Sequence, residues 1–200
     1  VTVSGIVGGT TPLTSFTATG NTISTVGVAT TGAQSYTGAT SSTFSGTYNI
    51  SGAANAFTVT GPALLGGATT VTTNNGNISF SSTLNNGQTL SLTAGTGAVT
   101  ITGATGGTTA LTSLTASGNT IAVNNVRTTG TQSYTGTTST TLNGTSYLTA
   151  GGTFGVTGPA LLGTGATIDT TNSGGTPAGA NISFSTTINN AQTLSLVGGT

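Results

Sequence analysis

Two side chains in the 200 residues carry a formal charge, Arg127 and Asp169, and His and Cys are absent. The chemistry open to such a chain is narrow. General acid–base catalysis sets a titratable group beside a partner, and glycoside cleavage takes two carboxyl groups. One Asp cannot fill both roles. His-dependent, Cys-dependent and Lys-based nucleophiles are missing outright. Transition-metal sites draw on His or thiolate, and calcium cages on several carboxylates. The residues therefore imply no enzyme, no catalytic residue, no cofactor and no metal site. Arg127 and Asp169 could pair with each other. Their counterparts in an internal repeat described below are Ala29 and, approximately, Thr72, so both read as ordinary exposed residues.

Other short patterns carry little chemistry. The stretches GGTT and GTGA look like phosphate-cradling loops, but neither helix nor Lys follows them. Asn49, Asn77, Asn143 and Asn181 each begin an N-glycosylation acceptor triplet, a pattern frequent by chance in a chain rich in Asn, Ser and Thr. Tyr36 and Tyr134, in QSYTG, suit packing against a neighbouring coil with the hydroxyl outward, or stacking on sugars. Thr17/Thr19, Thr58/Thr60, Thr70/Thr72 and Thr100/Thr102 are Thr-x-Thr doublets of the kind an ice-binding face needs. Their spacing along the chain is irregular, and structural Thr on a strand surface is the expected reading.

The charge content is 1%, against about 25% in an ordinary soluble domain. A single Arg cannot neutralise a phosphate backbone or an anionic membrane surface, so nucleic acid is excluded as a partner. No run approaches the roughly 18 apolar residues of a membrane helix. The first residues lack a basic leader region, so the sequence reads as a mature interior. Disorder usually pairs low hydrophobicity with high net charge; here apolar residues make up 33% and the net charge is zero.

Self-similarity supplies the organisation. Val1–Ile23 (VTVSGIVGGTTPLTSFTATGNTI) matches Val99–Ile121 (VTITGATGGTTALTSLTASGNTI) at an offset of 98 residues. The match continues through TTGAQSYTG and TTGTQSYTG, TVTGPALLG and GVTGPALLG, and NISFSSTLNNGQTLSL and NISFSTTINNAQTLSL. Two repeats follow, 1–98 and 99–200, forming one continuous rod. The second carries an insertion at Ser173–Gly179 (SGGTPAG) whose Gly and Pro mark an exposed loop. Thr200 aligns with Thr96, and neither end reads as a capping repeat. The expectation is a longer array, or ends that meet identical ends.

Apolar residues recur at period two in triplets such as Val1-Thr2-Val3, Phe57-Thr58-Val59 and Ile78-Ser79-Phe80, the signature of a strand with one face inward. Gly and Asn pairs between them make tight corners; PALL at Pro62–Leu65 and Pro159–Leu162 reads as a corner too. The spacing predicts an all-β parallel solenoid of roughly 20–25 residues per coil and eight to ten coils. The probable inward residues are Val3, Ile23, Phe57, Val59, Ile78, Phe80, Leu90, Leu92, Val99, Ile101, Leu111, Leu114, Ile121, Phe154, Ile182, Phe184, Leu194 and Leu196. Tandem immunoglobulin-like domains and an amyloid-like cross-β filament of separately stacked chains are the rival architectures.

Asn77–Ile121, and within it QTLSLTAGTGAVTITGATGGTTALTSL (Gln88–Leu114) followed by TTGAQSYTG-like pieces, resembles the repeats of filamentous-haemagglutinin-type β-helical adhesins and related β-strand-repeat surface proteins of bacteria. The resemblance implies a right-handed parallel β-helix, export to the cell surface, and a role in adhesion, matrix or sheath formation. Near-absence of charge departs from that pattern and favours a packed structural fibre over receptor binding. The expected function is thus a structural segment of an extracellular filament, sheath or surface fibre. Its expected partner is itself, end to end and laterally, with glycans or other cells as further partners and no membrane insertion.

Overall fold

In the computed structural model, which describes residues 1–199, the chain winds through about eight parallel coils as a β-solenoid without a helix. Thr200 lies outside the described residues. Each coil contributes to three faces, and successive coils pair in parallel. Face A stacks Phe16, Gln34, Phe57, Ile78, Val99, Ile121, Thr140, Ala160 and Ile188. Face B stacks Ile23, Ser42, Ala63, Leu84, Thr105, Val126, Tyr147, Ile168 and Leu196. Face C stacks Val7, Val28, Tyr48, Val71, Leu92, Ala116, Tyr134, Val156 and Phe184. Parallel pairing between coils of one chain excludes both immunoglobulin-like sandwiches and a stack of separate chains.

Alternation drives this winding. Phe57–Thr60 shows the pattern at its plainest, with Phe57 and Val59 buried and Thr60 exposed. Inward side chains fill the space between the three faces, and each full burial contributes about 1.5–3 kcal/mol. Strands run longer than the expected three to five residues, because several pass through a corner without breaking: Phe16–Thr30 and Gln34–Ala53 are single strands. Coil length varies from 17 residues between Leu13 and Thr30 to 28 between Phe154 and Ile182, where the insertion lies. Ser173–Gly175, Pro177 and Ala178 in that insertion are exposed, as expected of a loop.

The sequence repeat is not a whole number of coils. Ile23 lies on face B, whereas its equivalent Ile121 lies on face A. Likewise Val28 is on face C and Val126 on face B. One repeat therefore advances four coils and two faces, and the second copy is turned by one face relative to the first.

Several expectations need correction. Ala63-Leu64-Leu65 and Ala160-Leu161-Leu162 are strands with alternating burial, not corners. The corner sits one step earlier, at Gly61-Pro62, where φ of Gly61 is +93° and a Cβ would collide with the carbonyl oxygen of Gly38 in the coil below. Gly158 stacks on Gly136 in the same way. This is why QSYTG and TGPALLG recur together: each supplies one glycine of a stacked pair. Leu196, expected inside, is 50% exposed because no coil lies over it. Val3, Ile182, Phe184 and Leu194 are half-buried for the same reason, and the remaining expected inward residues are buried.

Candidate functional site

Neither charged residue is placed to do chemistry with the other. Arg127 is exposed on face B, and Asp169 stands on the same outward column two coils later, through Leu148. Contrary to the expectation of an exposed residue, Asp169 is buried, because the insertion folds over it. One carboxylate oxygen accepts from the Thr171 N–H at 2.6 Å and the Thr171 hydroxyl at 2.6 Å; the other accepts from the Ser173 N–H at 2.9 Å. Burial alone raises its pKa, but these three donors outweigh burial and hold it below the ordinary carboxylate value. The one acidic group anchors the insertion loop. No ion pair and no cluster of metal-ligating groups occurs among the described residues.

The tyrosines are likewise inside. Tyr36 and Tyr134 are fully buried, with hydroxyls turned inward to glutamine rather than outward to solvent. Burial raises both pKa values above the ordinary 10.0, with Tyr48 and Tyr147 respectively adding to the shift. Around them Tyr36, Phe44, Tyr48 and Phe57 form a cluster with ring centroids 5.0–6.0 Å apart. They are unavailable to a sugar. Sequence reasoning missed Gln34 and Gln132 altogether, although both are fully buried.

What the surface does present is order. On face A the outward pairs Thr17/Thr19, Ser35/Thr37 and Thr58/Thr60 lie in register on successive coils. Ser79 and Thr100 continue the first column. On face C the pairs Thr70/Thr72, Ser91/Thr93, Thr115/Ser117 and Ser133/Thr135 do the same, followed by Gly155/Thr157. The irregular spacing of the doublets in the sequence thus has a cause. They belong to two faces: Thr17/Thr19 and Thr58/Thr60 lie on face A, and Thr70/Thr72 of the same copy lies on face C. Such columns repeat about every 4.8 Å between coils and about 6.6 Å along a strand.

Two shallow depressions interrupt the surface. One, of about 350 Å³, lies where Gly155 stands between Ser133 and Ser183, flanked by Thr131, Thr153 and Asn181. The first copy has Thr58 at the equivalent position, so the missing side chain leaves the dent. A second, of about 180 Å³, runs beside Arg127 and Leu148. Hydroxyls and amides line the first, a surface suited to hydrogen bonding with neutral groups and not to proton transfer. Among the acceptor asparagines, Asn77 accepts from the Ala98 N–H at 2.9 Å through its side chain, a corner contact between coils.

Comparison with known proteins gives no match to a family model, to a curated protein or to a solved structure. The solenoid is consistent with a β-helix and does not by itself identify a filamentous-haemagglutinin type.

Proposed function

We propose that this chain is a non-enzymatic structural segment of an extracellular filament, sheath or surface fibre, acting through length, stiffness and chemical inertness. One observation carries this reading: a ladder of parallel coils runs the length of the molecule with three largely apolar columns inside and almost no ionisable group outside. Backbone pairing along the axis satisfies the interior coils, and uncharged columns avoid the repulsion that identical charges would suffer at strand spacing. Neutrality also leaves little to hold rods apart, so lateral bundling accompanies it. Antibody labelling of intact cells by electron microscopy tests this reading. Label along surface fibres supports it, and label confined to the cell interior overturns it.

A second reading rests on the hydroxyl doublets of faces A and C. Threonine columns in two-dimensional register, free of charge, suit binding to an ordered neutral surface such as ice. A thermal hysteresis assay separates the two: freezing-point depression with faceted ice crystals favours the binding face, and its absence favours the fibre.

A further inference from the structure

The junction between the two repeats inside the chain is a ready description of a junction between two chains. Within the molecule, the closing coil of the first repeat pairs with the opening coil of the second. Ile78, Ser79 and Phe80 lie on Val99, Thr100 and Ile101, Leu84 lies on Thr105, and Leu90 lies on Leu114. The closing coil of the second repeat has nearly the same sequence: Ile182, Ser183, Phe184, Ile188 and Leu194 stand where the first has Ile78, Ser79, Phe80, Leu84 and Leu90. The opening coil of the first repeat offers Val1, Thr2, Val3, Val7 and Phe16 where the second has Val99, Thr100, Ile101, Thr105 and Leu114. These two surfaces are the first and last coils of the described residues.

We infer that a second copy of this chain seats its opening coil on the closing coil of the first in the internal register, so that each added copy is turned by one face. The inference rests on the structural reading above and adds a partner and a geometry to it. The turn follows from the columns. Phe184 is on face C and Leu194 on face B, whereas Val3 is on face B and Phe16 on face A of the same chain. Placing Val3 over Phe184 and Phe16 over Leu194 lays face B of the new copy on face C of the old, and face A on face B. Apolar contacts at the junction improve on the template, since Val7 replaces Thr105 and Phe16 replaces Leu114. A sheet edge with unpaired backbone groups is in any case a template for another strand, and the repeat selects which one.

Cysteine pairing reads this register directly, because the chain has no cysteine of its own. Thr2, Ser183 and Val197 are exposed. In the inferred junction Thr2 of one copy faces Ser183 of the next, as Thr100 faces Ser79 inside the chain. In a stack without the turn, Thr2 would face Val197, which ends the face B column on which Thr2 itself lies, through Ser24, Thr43, Leu64, Asn85, Arg127, Leu148 and Asp169. Partners in adjacent parallel strands are within disulfide reach. Oxidised Thr2→Cys/Ser183→Cys is expected to run as a ladder of multimers that collapses on reduction, while Thr2→Cys/Val197→Cys and each single variant, with no cysteine opposite in the junction, stay monomeric. A ladder from the Val197 pair instead overturns the turn. No ladder from either pair, with sedimentation of the unsubstituted chain unchanged over a wide concentration range, overturns the head-to-tail contact. The surface-labelling result is independent of these outcomes, so failure of the junction and failure of the structural role are told apart.

Discussion

The Tyr36 hydroxyl donates to Oε1 of Gln34 at 3.0 Å, and the pair closes a corner from inside the solenoid. Nε2 of Gln34 in turn donates to the carbonyl oxygens of Val28 at 3.0 Å and Asn49 at 3.2 Å, and to the Thr30 hydroxyl at 3.2 Å. The second copy repeats the arrangement a face away, with Tyr134 donating to Gln132 at 3.1 Å and Gln132 reaching Val126, Thr128 and Leu148. One glutamine thus ties carbonyls from two coils, those of Val28 and Asn49, to the corner that follows Thr30. Tyr36→Phe leaves a buried acceptor without its donor and is expected to cost about 1–3 kcal/mol. Gln34→Ala, which orphans several groups and opens a cavity, costs more than Tyr36→Phe. Urea unfolding monitored by circular dichroism checks both, and Tyr134→Phe is expected to match Tyr36→Phe.

Stacked glycines give a second test. At Gly61 the positive φ and the Gly38 carbonyl oxygen both oppose a side chain. Gly61→Ala is therefore expected to destabilise by more than about 2 kcal/mol, since strain adds to the collision. Gly5→Ala, with nothing within 4 Å of the added carbon, is expected to change the midpoint hardly at all. Equal effects of the two substitutions in the same unfolding assay would contradict the corner assignment.

Stability should be flat over most of the pH scale and fall at both extremes. Asp169 has a lowered folded pKa, so its contribution is complete above the ordinary carboxylate value and is lost as pH falls through the folded one. That loss is local, loosening the insertion at strongly acid pH. Tyr36, Tyr48, Tyr134 and Tyr147 have raised folded values, so their contribution is intact below the ordinary 10.0 and is lost as pH rises beyond it. Thermal unfolding between mild acid and pH 9 is expected to give one midpoint, with a decline in alkali. A marked shift between acidic and neutral buffer would count against this account.

How much of this was legible beforehand depended on whether a residue's type announced its side of the strand. Phe57-Thr58-Val59 and Ile78-Ser79-Phe80 alternate plainly, and both were placed correctly. Gln34 and Gln132 were invisible as core, because a polar side chain at an inward position is indistinguishable from an outward one until its acceptors are known. Tyr36 was recognised as packing, but its hydroxyl was sent outward for the same reason. Pro62–Leu65 reads as a corner in the sequence, but only Pro62, with Gly61 before it, forms one, and Ala63-Leu64-Leu65 continues as strand. The faces themselves could not be read, since coils of unequal length hide which residues stack. Asp169 was misjudged because only the folded insertion buries it.

Like charges stacked on one face test why the surface is neutral. Thr70, Ser91 and Thr115 occupy one outward column of face C on three successive coils. Lysine at all three sets unit charges about 4.8 Å apart at the backbone, worth roughly 0.5–1 kcal/mol of repulsion per adjacent pair in solvent. Each single substitution is expected to be nearly neutral, and the triple variant to lose more than the sum of the three. Added salt should restore most of the loss, because exposed charges are screened. Additivity without salt dependence would show that charge spacing does not matter to this fold.

Arg127 offers a reporter of opening, because trypsin cleaves after Lys or Arg and the chain has one such residue. Exposure of its side chain does not make the bond accessible. The Arg127 carbonyl oxygen accepts from the Leu111 N–H at 3.1 Å, and the Thr128 N–H donates to the Leu148 carbonyl oxygen at 2.9 Å, so both sides of the scissile peptide bond are tied into neighbouring coils. A protease needs that segment extended and free. Cleavage into 1–127 and 128–200 is therefore expected to be undetectable under native conditions and to appear across the same urea range as loss of circular dichroism, since it tracks the population of opened chains. Gly61→Ala and Tyr36→Phe are expected to hasten it in proportion to their cost. Rapid cutting of the native chain would mean that the coils around Arg127 part on their own, and the continuous ladder would no longer explain the molecule's rigidity.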